Sequence, residues 1–162
     1  MIKELYLPYF ENKKVTVMGL GLLGRGIGDT AFLAQNGAEI IVTDKKTEEQ
    51  LKSSLEVLKE YTNIQYVLGE HKLEDFENRD FILKGQGTHL DSIYIKHARK
   101  NNIPIRMDDE LFISCAPNNI KTIGVTGTRG KTTVTMIIYH MLKKAGIRVH
   151  LGGNIRGTSM LP

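Results

Sequence analysis

The stretch with the clearest chemistry in this sequence is Gly127-Thr-Arg-Gly-Lys-Thr-Thr133, which lies between an apolar segment and an amphipathic one. Glycines let backbone N–H groups approach phosphate oxygens, and the start of a following helix adds further free donors. In such a loop Lys131 can reach the β- and γ-phosphates of ATP, and the Thr132 hydroxyl can ligate Mg²⁺. The predicted ATP-binding residues are Gly127, Thr128, Arg129, Gly130, Lys131, Thr132 and Thr133.

This loop departs from the generic P-loop pattern at one position. The pattern G-x-x-x-x-G-K-[ST] requires a glycine where the sequence has Val125, and the nearest glycines are Gly124 and Gly127. The alternative interpretation is a glycine-rich turn that carries a surface lysine. The apolar segment before the loop and the helical periodicity after it favour the phosphate loop.

A second glycine pattern, Gly19-Leu-Gly-Leu-Leu-Gly24, follows the first apolar run and precedes the first helical pattern. Asp44 lies 20 residues after Gly24, at the end of the second predicted strand. Strand, glycine turn, helix and acid together match a dinucleotide-binding fingerprint. The simplest interpretation is therefore an NAD site, and the alternative is a tight turn without a ligand.

Composition limits the classes of function. The 162 residues are 41% hydrophobic and 25% charged, which is ordinary for a globular protein. No apolar run approaches the roughly 20 residues that span a bilayer, so we expect no membrane insertion. The +4 charge is scattered, which argues against nucleic-acid binding. One cysteine, Cys115, fits a cytoplasmic protein, and the five histidines show no metal-binding spacing.

Short apolar runs alternate with helical periodicity, which is typical of βαβ units and a parallel sheet. Thr47 and Gln50 form a capping-box pattern, Asp91 can cap a later helix, and the turn-rich segment 115–119 marks a domain boundary. We predict an α/β fold with a Rossmann-like parallel-sheet domain over residues 1–115. The predicted strands of that domain are 15–19, 40–43, 64–68, 81–83 and 105–107.

The second unit, residues 116–162, is predicted to begin a P-loop ATP-binding α/β domain. It has two predicted strands, 122–126 and 148–151, on either side of an amphipathic helix that ends at Gly146. A complete mononucleotide-binding domain needs several more strands. We therefore expect a truncated start of that domain, with an apolar helix face that lacks a partner.

Three stretches resemble the Mur ligase family: the ATP loop Thr126-Gly-Thr-Arg-Gly-Lys-Thr-Thr133, Asp108-Asp-Glu-Leu-Phe112 and Gly152-Gly-Asn-Ile155. Members of this family join a carboxylate to an amine at the expense of ATP, with Mg²⁺. The resemblance implies an acyl phosphate intermediate and a catalytic role for Lys131. It also implies that 116–162 is the incomplete start of the family's central domain.

The N-terminal glycine turn resembles that of the family member which adds D-glutamate to UDP-N-acetylmuramoyl-L-alanine in peptidoglycan synthesis. There the first domain holds UDP rather than NAD. Leu23 stands where a hydroxyl residue is common, and Gly85-Gln86 stand where the family usually has Ser-Pro. The substrate-binding residues implied by motif position are Gly21, Leu22, Leu23, Asp44, Lys45, Gly87 and Asn154.

Two other functions remain open from the sequence. One is a nicotinamide-dependent oxidoreductase module, and the other is a non-catalytic nucleotide-binding module. The resemblance implies a monomeric ATP-dependent acid–D-amino-acid ligase, and the D-glutamate pocket would lie beyond these residues. We therefore expect the chain to be inactive on its own.

Overall fold

A computed structural model describes residues 2–22, 24–85, 87–117, 119–153 and 159–161, with the backbone alone for residues 2–5. Its centre is a five-stranded sheet with the order β3-β2-β1-β4-β5, in which every neighbouring pair is parallel. The order reverses between β1 and β4, which is where such folds bind ligands. The strands are β1 Lys14–Met18, β2 Glu39–Asp44, β3 Ile64–Leu68, β4 Phe81–Lys84 and β5 Ile105–Arg106. The predicted Rossmann-like α/β fold is confirmed.

The described residues also form six helices: α1 Ile2–Phe10, α2 Arg25–Gln35, α3 Glu48–Leu58, α4 Ile93–Lys100, α5 Asp108–Cys115 and α6 Lys131–Lys144. A 3-10 turn, Leu73–Phe76, lies between β3 and β4. Among the described residues, no helix combines the length and apolar character needed to cross a bilayer.

Local capping chemistry sets the start of α3. The Thr47 hydroxyl accepts a hydrogen bond from the Gln50 backbone N–H, and the Gln50 side chain accepts one from the Thr47 N–H at 3.0 Å. The predicted capping box is confirmed. The prediction that Asp91 caps α4 was wrong: Ser92 precedes that helix, and Asp91 pairs with Lys96 at 3.5 Å.

The core has two parts, one on each face of the sheet. Phe81 and Leu83 of β4 belong to the larger cluster, which includes α2 residues such as Leu33. Ile82, between them in sequence, packs with Ile95 of α4 in the smaller cluster. Side chains alternate along a strand, so a parallel strand covered on both faces is apolar throughout.

The strands predicted at 122–126 and 148–151 are not formed. A strand needs a hydrogen-bonded neighbour, and no described residue pairs with either segment. α6 forms as predicted but buries none of its residues, and Met141 is 65% exposed. A folded P-loop domain is thus not seen in this part of the chain, and the domain boundary near residue 115 stays a prediction.

The segment Ser159–Leu161 lies against α2. The Ser159 hydroxyl donates a hydrogen bond to Asp29 Oδ1 at 2.5 Å, and Leu161 is buried in the larger core cluster. A Cβ atom at Gly28 would lie 2.8 Å from the Ser159 Cβ atom, so glycine is needed for this approach. We call this contact the Asp29–Ser159 clasp.

Candidate functional site

The glycine turn after β1 is built from backbone conformations that favour glycine. Gly19, Gly21 and Gly24 have φ angles of 91°, 67° and 88°. Gly24 is the N-cap of α2, and no side chain caps that helix. The first backbone N–H groups of α2 therefore remain available to a ligand.

A fourth glycine, Gly26, holds the helix close to the turn. A Cβ atom there would lie 2.3 Å from the Leu20 carbonyl oxygen, which is too close for any other residue without a shift. The sequence interpretation did not identify Gly26, because the fingerprint assigns close helix packing to its third glycine, Gly24. The sequence feature that could have identified Gly26 is its position two residues after Gly24, as one more glycine at the start of the helix.

Asp44 fixes the turn from the neighbouring strand. One carboxylate oxygen accepts the Gly21 N–H at 3.1 Å and the other accepts the Lys46 N–H at 2.9 Å. From α3, the Ser54 hydroxyl donates to the Gly21 carbonyl at 3.1 Å. Asp44 is almost fully buried, so its observed bonds position the loop rather than leave a free carboxylate in solvent.

The predicted nucleotide-binding residues that the structure describes lie at one edge of the sheet. Gly21 and Leu22 follow β1, Asp44 and Lys45 end or follow β2, and Gly87 follows β4. Leu22, Lys45 and Gly87 are exposed. The carboxyl ends of parallel strands thus bring these residues to the same side of the sheet, at or next to the point where the strand order reverses between β1 and β4. The predicted residues Leu23 and Asn154 lie outside the described part of the chain.

The Asp108-Asp-Glu-Leu-Phe112 stretch forms the start of α5, and its first residue contacts the start of α2. Both Asp108 carboxylate oxygens accept hydrogen bonds from the Arg25 guanidinium, at 2.5 and 2.6 Å. Arg25 is the first residue of α2 and Asp108 the first of α5; the Asp108 side chain is buried and that of Arg25 is partly buried. This ion pair fixes the start of α2 against α5, and sequence reasoning missed Arg25.

The structure gives His71, one of the five histidines without metal-binding spacing, a defined packing environment. Its ring is half-buried against Phe76 and Tyr94, and its Nδ1 atom lies 2.8 Å from the Thr43 hydroxyl. Burial lowers the pKa of His71, and the nearby Lys45 lowers it further. No group of three potential metal ligands occurs among the described residues.

The second glycine loop has two glycines with positive φ angles directly before α6. Gly127 and Gly130 have φ angles of 146° and 75°, and Gly130 is the N-cap of α6. No acidic side chain lies in the first turn of α6 and no side chain caps it. The Lys131 ammonium donates to the Gly127 carbonyl at 2.6 Å, so the lysine lies along the loop. Thr132 and Thr133 are exposed in the first turn. The Lys131 ammonium, the two threonine hydroxyls and the free backbone N–H groups of that turn are donors of the kind that a polyphosphate accepts from.

A groove of about 310 Å³ lies at the opposite edge of the sheet. It is lined by residues at the amino ends of the first three strands, including Lys14, Ile40 and Ile64. None of the predicted site residues that the structure describes lines it. This groove therefore does not belong to the candidate site.

Comparison with known proteins identifies the family. The family model described as Mur ligase MurD-like, N-terminal domain, matches residues 13–107. The UDP-N-acetylmuramoylalanine–D-glutamate ligase of Borreliella burgdorferi is 38% identical over 156 residues, covering 96% of this chain and 33% of that protein. The enzyme of the same name from Treponema pallidum is 36% identical over 147 residues, covering 89% of this chain and 27% of that one. The chain spans a third or less of the length of these relatives, 33% of the first and 27% of the second.

Solved structures agree at the level of the fold. UDP-N-acetylmuramate:L-alanyl-gamma-D-glutamyl-meso-diaminopimelate ligase from Neisseria meningitides matches with a TM-score of 0.53 and 22% identity, covering 83% of this chain and 40% of that one. The UDP-N-acetylmuramate-alanine ligase of Thermotoga maritima matches with a TM-score of 0.50 and 23% identity, over 83% and 30% of the two chains. The sheet, its glycine turn and these matches lead to one assignment: the chain belongs to the MurD-like family of Mur ligases, through the N-terminal domain of that family.

Proposed function

We propose that this chain contributes to an ATP-dependent ligase that adds D-glutamate to UDP-N-acetylmuramoyl-L-alanine in peptidoglycan synthesis. The glycine turn would bind the UDP end of the substrate and the second glycine loop would bind ATP. The single observation that carries the proposal is the Gly21–Asp44 hydrogen bond, which sets the glycine turn at the reversal of strand order. The names of the relatives support the choice of substrate.

The first step is capture of the nucleotide at the carboxyl edge of the sheet. The uncapped start of α2 offers N–H donors and the positive end of a helix dipole to an anion. Exposed Leu22 offers apolar surface to a base, and exposed Lys45 offers a positive charge beside it. Asp44 would act by holding the turn that presents these groups.

The second step takes place at the loop before α6. Bound with Mg²⁺, ATP would supply its γ-phosphoryl group to the substrate carboxylate, which releases ADP. The D-glutamate amine would then displace inorganic phosphate from the acyl phosphate to form the amide. Lys131 would exchange its bond to the Gly127 carbonyl for phosphate oxygens and offset their charge. Thr132, exposed at the start of α6, would provide a hydroxyl ligand to the metal.

Calorimetry with two ligands tests the nucleotide half of the proposal. We expect the chain to bind UDP-N-acetylmuramoyl-L-alanine and to bind NADH more weakly. Asp44→Asn should lower the affinity for the muramoyl nucleotide about tenfold, because an amide cannot accept from both backbone N–H groups. Asp109→Asn, an exposed neutralisation on α5, is the matched control. Preferential binding of NADH would overturn the proposal in favour of an oxidoreductase module.

A further inference from the structure

Lys84, the last residue of β4, is a buried cation that has no carboxylate partner among the described residues. It is 8% exposed and is the only lysine or arginine among the buried residues of the described chain. Its ammonium donates to the carbonyls of Gly85 and Thr88, each at 3.3 Å. Both contacts are longer than the usual 2.9–3.0 Å, and no ion pair links Lys84 to a described acidic residue.

Burying a positive charge costs free energy unless an anion or strong hydrogen bonds compensate. The buried carboxylates of the described chain all bond elsewhere: Asp29 to Ser159, Asp44 to Gly21, Asp75 to Lys72 and Asp108 to Arg25. Two long contacts with neutral carbonyls are weak compensation for Lys84. The charge is therefore compensated best when an anion binds beside it.

The position of Lys84 indicates where that anion would lie. In the sheet register Lys84 is opposite Met18, the residue directly before the glycine turn. The Gly85 N–H lies 3.4 Å from the Met18 carbonyl, so the loop after β4 starts alongside that turn. The ammonium lies at the carbonyls of this loop, which also carries Gly87. Lys84 thus stands at the carboxyl edge, across the switch point from the uncapped start of α2.

We propose that Lys84 binds the diphosphate of the nucleotide that occupies the glycine turn. On binding, phosphate oxygens replace the Gly85 and Thr88 carbonyls as acceptors from the ammonium and neutralise its charge. This inference rests on the proposed function, since it assigns a binding residue to the same UDP site. Lys84 is a substrate-binding residue and takes no part in bond formation.

Calorimetry with UDP and with uridine tests the proposal. Lys84→Met removes the charge and keeps a long side chain. Loss of one charge-assisted hydrogen bond should raise the Kd for UDP about ten- to hundredfold. The Kd for uridine, which has no phosphate, should stay within about twofold. Lys84→Arg, which keeps the charge, should retain part of the affinity for UDP.

Lys14→Met is the matched control, because it removes one lysine from the opposite, amino end of the sheet. It should leave the Kd for UDP unchanged. Thermal melts add a second readout: a structural lysine that only caps carbonyls predicts a lower Tm for Lys84→Met, whereas a ligand-binding lysine predicts an equal or higher Tm. If Lys84→Met does not fold, Lys84→Gln gives the same UDP-to-uridine comparison.

The outcomes separate this inference from the proposed function. If the unchanged chain binds UDP and Lys84→Met binds it equally well, the role of Lys84 is wrong and the nucleotide site stands. Equal weakening of UDP and uridine, with a lower Tm, would show a structural cap and also overturn the inference. If the unchanged chain binds neither UDP nor the muramoyl nucleotide, the proposed function fails and Lys84 loses its assigned ligand with it.

Discussion

The position of Asp44 after the second strand can be explained in two ways, by a contact with a ligand or by contacts with the loop itself. An acid after the second strand predicts a bond to a ligand ribose or base, yet its carboxylate accepts from the backbone N–H groups of Gly21 and Lys46. Together with the hydrogen bond from the Ser54 hydroxyl to the Gly21 carbonyl, those bonds hold the turn in place. The spacing of Asp44 from the glycines is therefore accounted for before any ligand is considered, and the ligand role stays a prediction.

The predicted role of Lys131 in ATP binding can be tested directly, because its ammonium already contacts the loop that would bind ATP. Lys131→Ala should weaken Mg·ATP binding by about ten- to hundredfold, since a charge-assisted bond to phosphate is lost. Fluorescence titration with a labelled ATP analogue measures this. UDP binding should be unaffected. Lys121→Ala, an exposed lysine before the loop, is the control, and an equal loss there would contradict a specific role for Lys131.

At the scale of elements, local signals predicted structure well. The Thr47–Gln50 capping box depends on residues three apart, and the structure contains it as the sequence indicates. The apolar runs around Val15, Val42 and Leu83 predicted the central strands, because strands buried on both faces are apolar throughout. The glycine turn was predicted from the spacing of its glycines, because positive φ angles favour glycine at those positions.

Non-local determinants explain the misses. α1 was not predicted, because Pro8 lies within it and its place depends on Tyr6 and Phe10 packing onto the sheet domain. The segment 122–126 looks like a strand by composition, but a strand exists only with a paired neighbour. Arg25 and Lys84 were missed because sequence spacing cannot show their contacts, which are with Asp108 for Arg25 and with the Gly85 and Thr88 carbonyls for Lys84.

Packing between β1 and α2 gives a prediction for Gly26. A methyl group there would meet the Leu20 carbonyl, and relief requires the helix or the turn to shift. Gly26→Ala should lower the free energy of unfolding by about 1–3 kcal/mol, as overpacking does elsewhere. Urea denaturation followed by circular dichroism measures it. Gly124→Ala is the control, because a Cβ atom there meets nothing within 4 Å. Equal stability of both variants would show that the close approach is unimportant.

At the scale of the whole molecule, the Asp29–Ser159 clasp joins residues 130 positions apart in sequence. It lies on α2, the helix that the glycine turn begins, and Ser159 follows the second glycine loop in sequence. The segment Ser159–Leu161 therefore contacts α2 through this hydrogen bond and through the buried Leu161 side chain. Because Asp29 is a titratable group, the stability of this contact depends on pH.

Burial raises the pKa of Asp29 from 3.8 to about 7, despite the hydrogen bond from Ser159, which lowers it. Between pH 4 and 7 the folded chain keeps a proton that the unfolded chain has lost. The contribution of Asp29 to stability is therefore complete below about pH 4, falls as pH rises to about 7, and then levels off. The full range is up to about 4 kcal/mol, from a shift of about three pKa units. Asp29→Asn, which resembles the neutral carboxyl group, should remove this part of the pH dependence.

Thermal melts at pH 5 and pH 8 measure the effect. The fall in Tm between these pH values should be smaller for Asp29→Asn than for the unchanged chain, and the variant should be the more stable of the two at pH 8. Asp75, whose pKa is also raised by burial, contributes equally to both proteins and cancels in the comparison. Asp109→Asn, which changes an exposed residue, is the control and should show the same fall in Tm as the unchanged chain. An unchanged fall in Tm for Asp29→Asn would mean that Asp29 is ionised in the folded chain at pH 5, and that the clasp does not respond to pH.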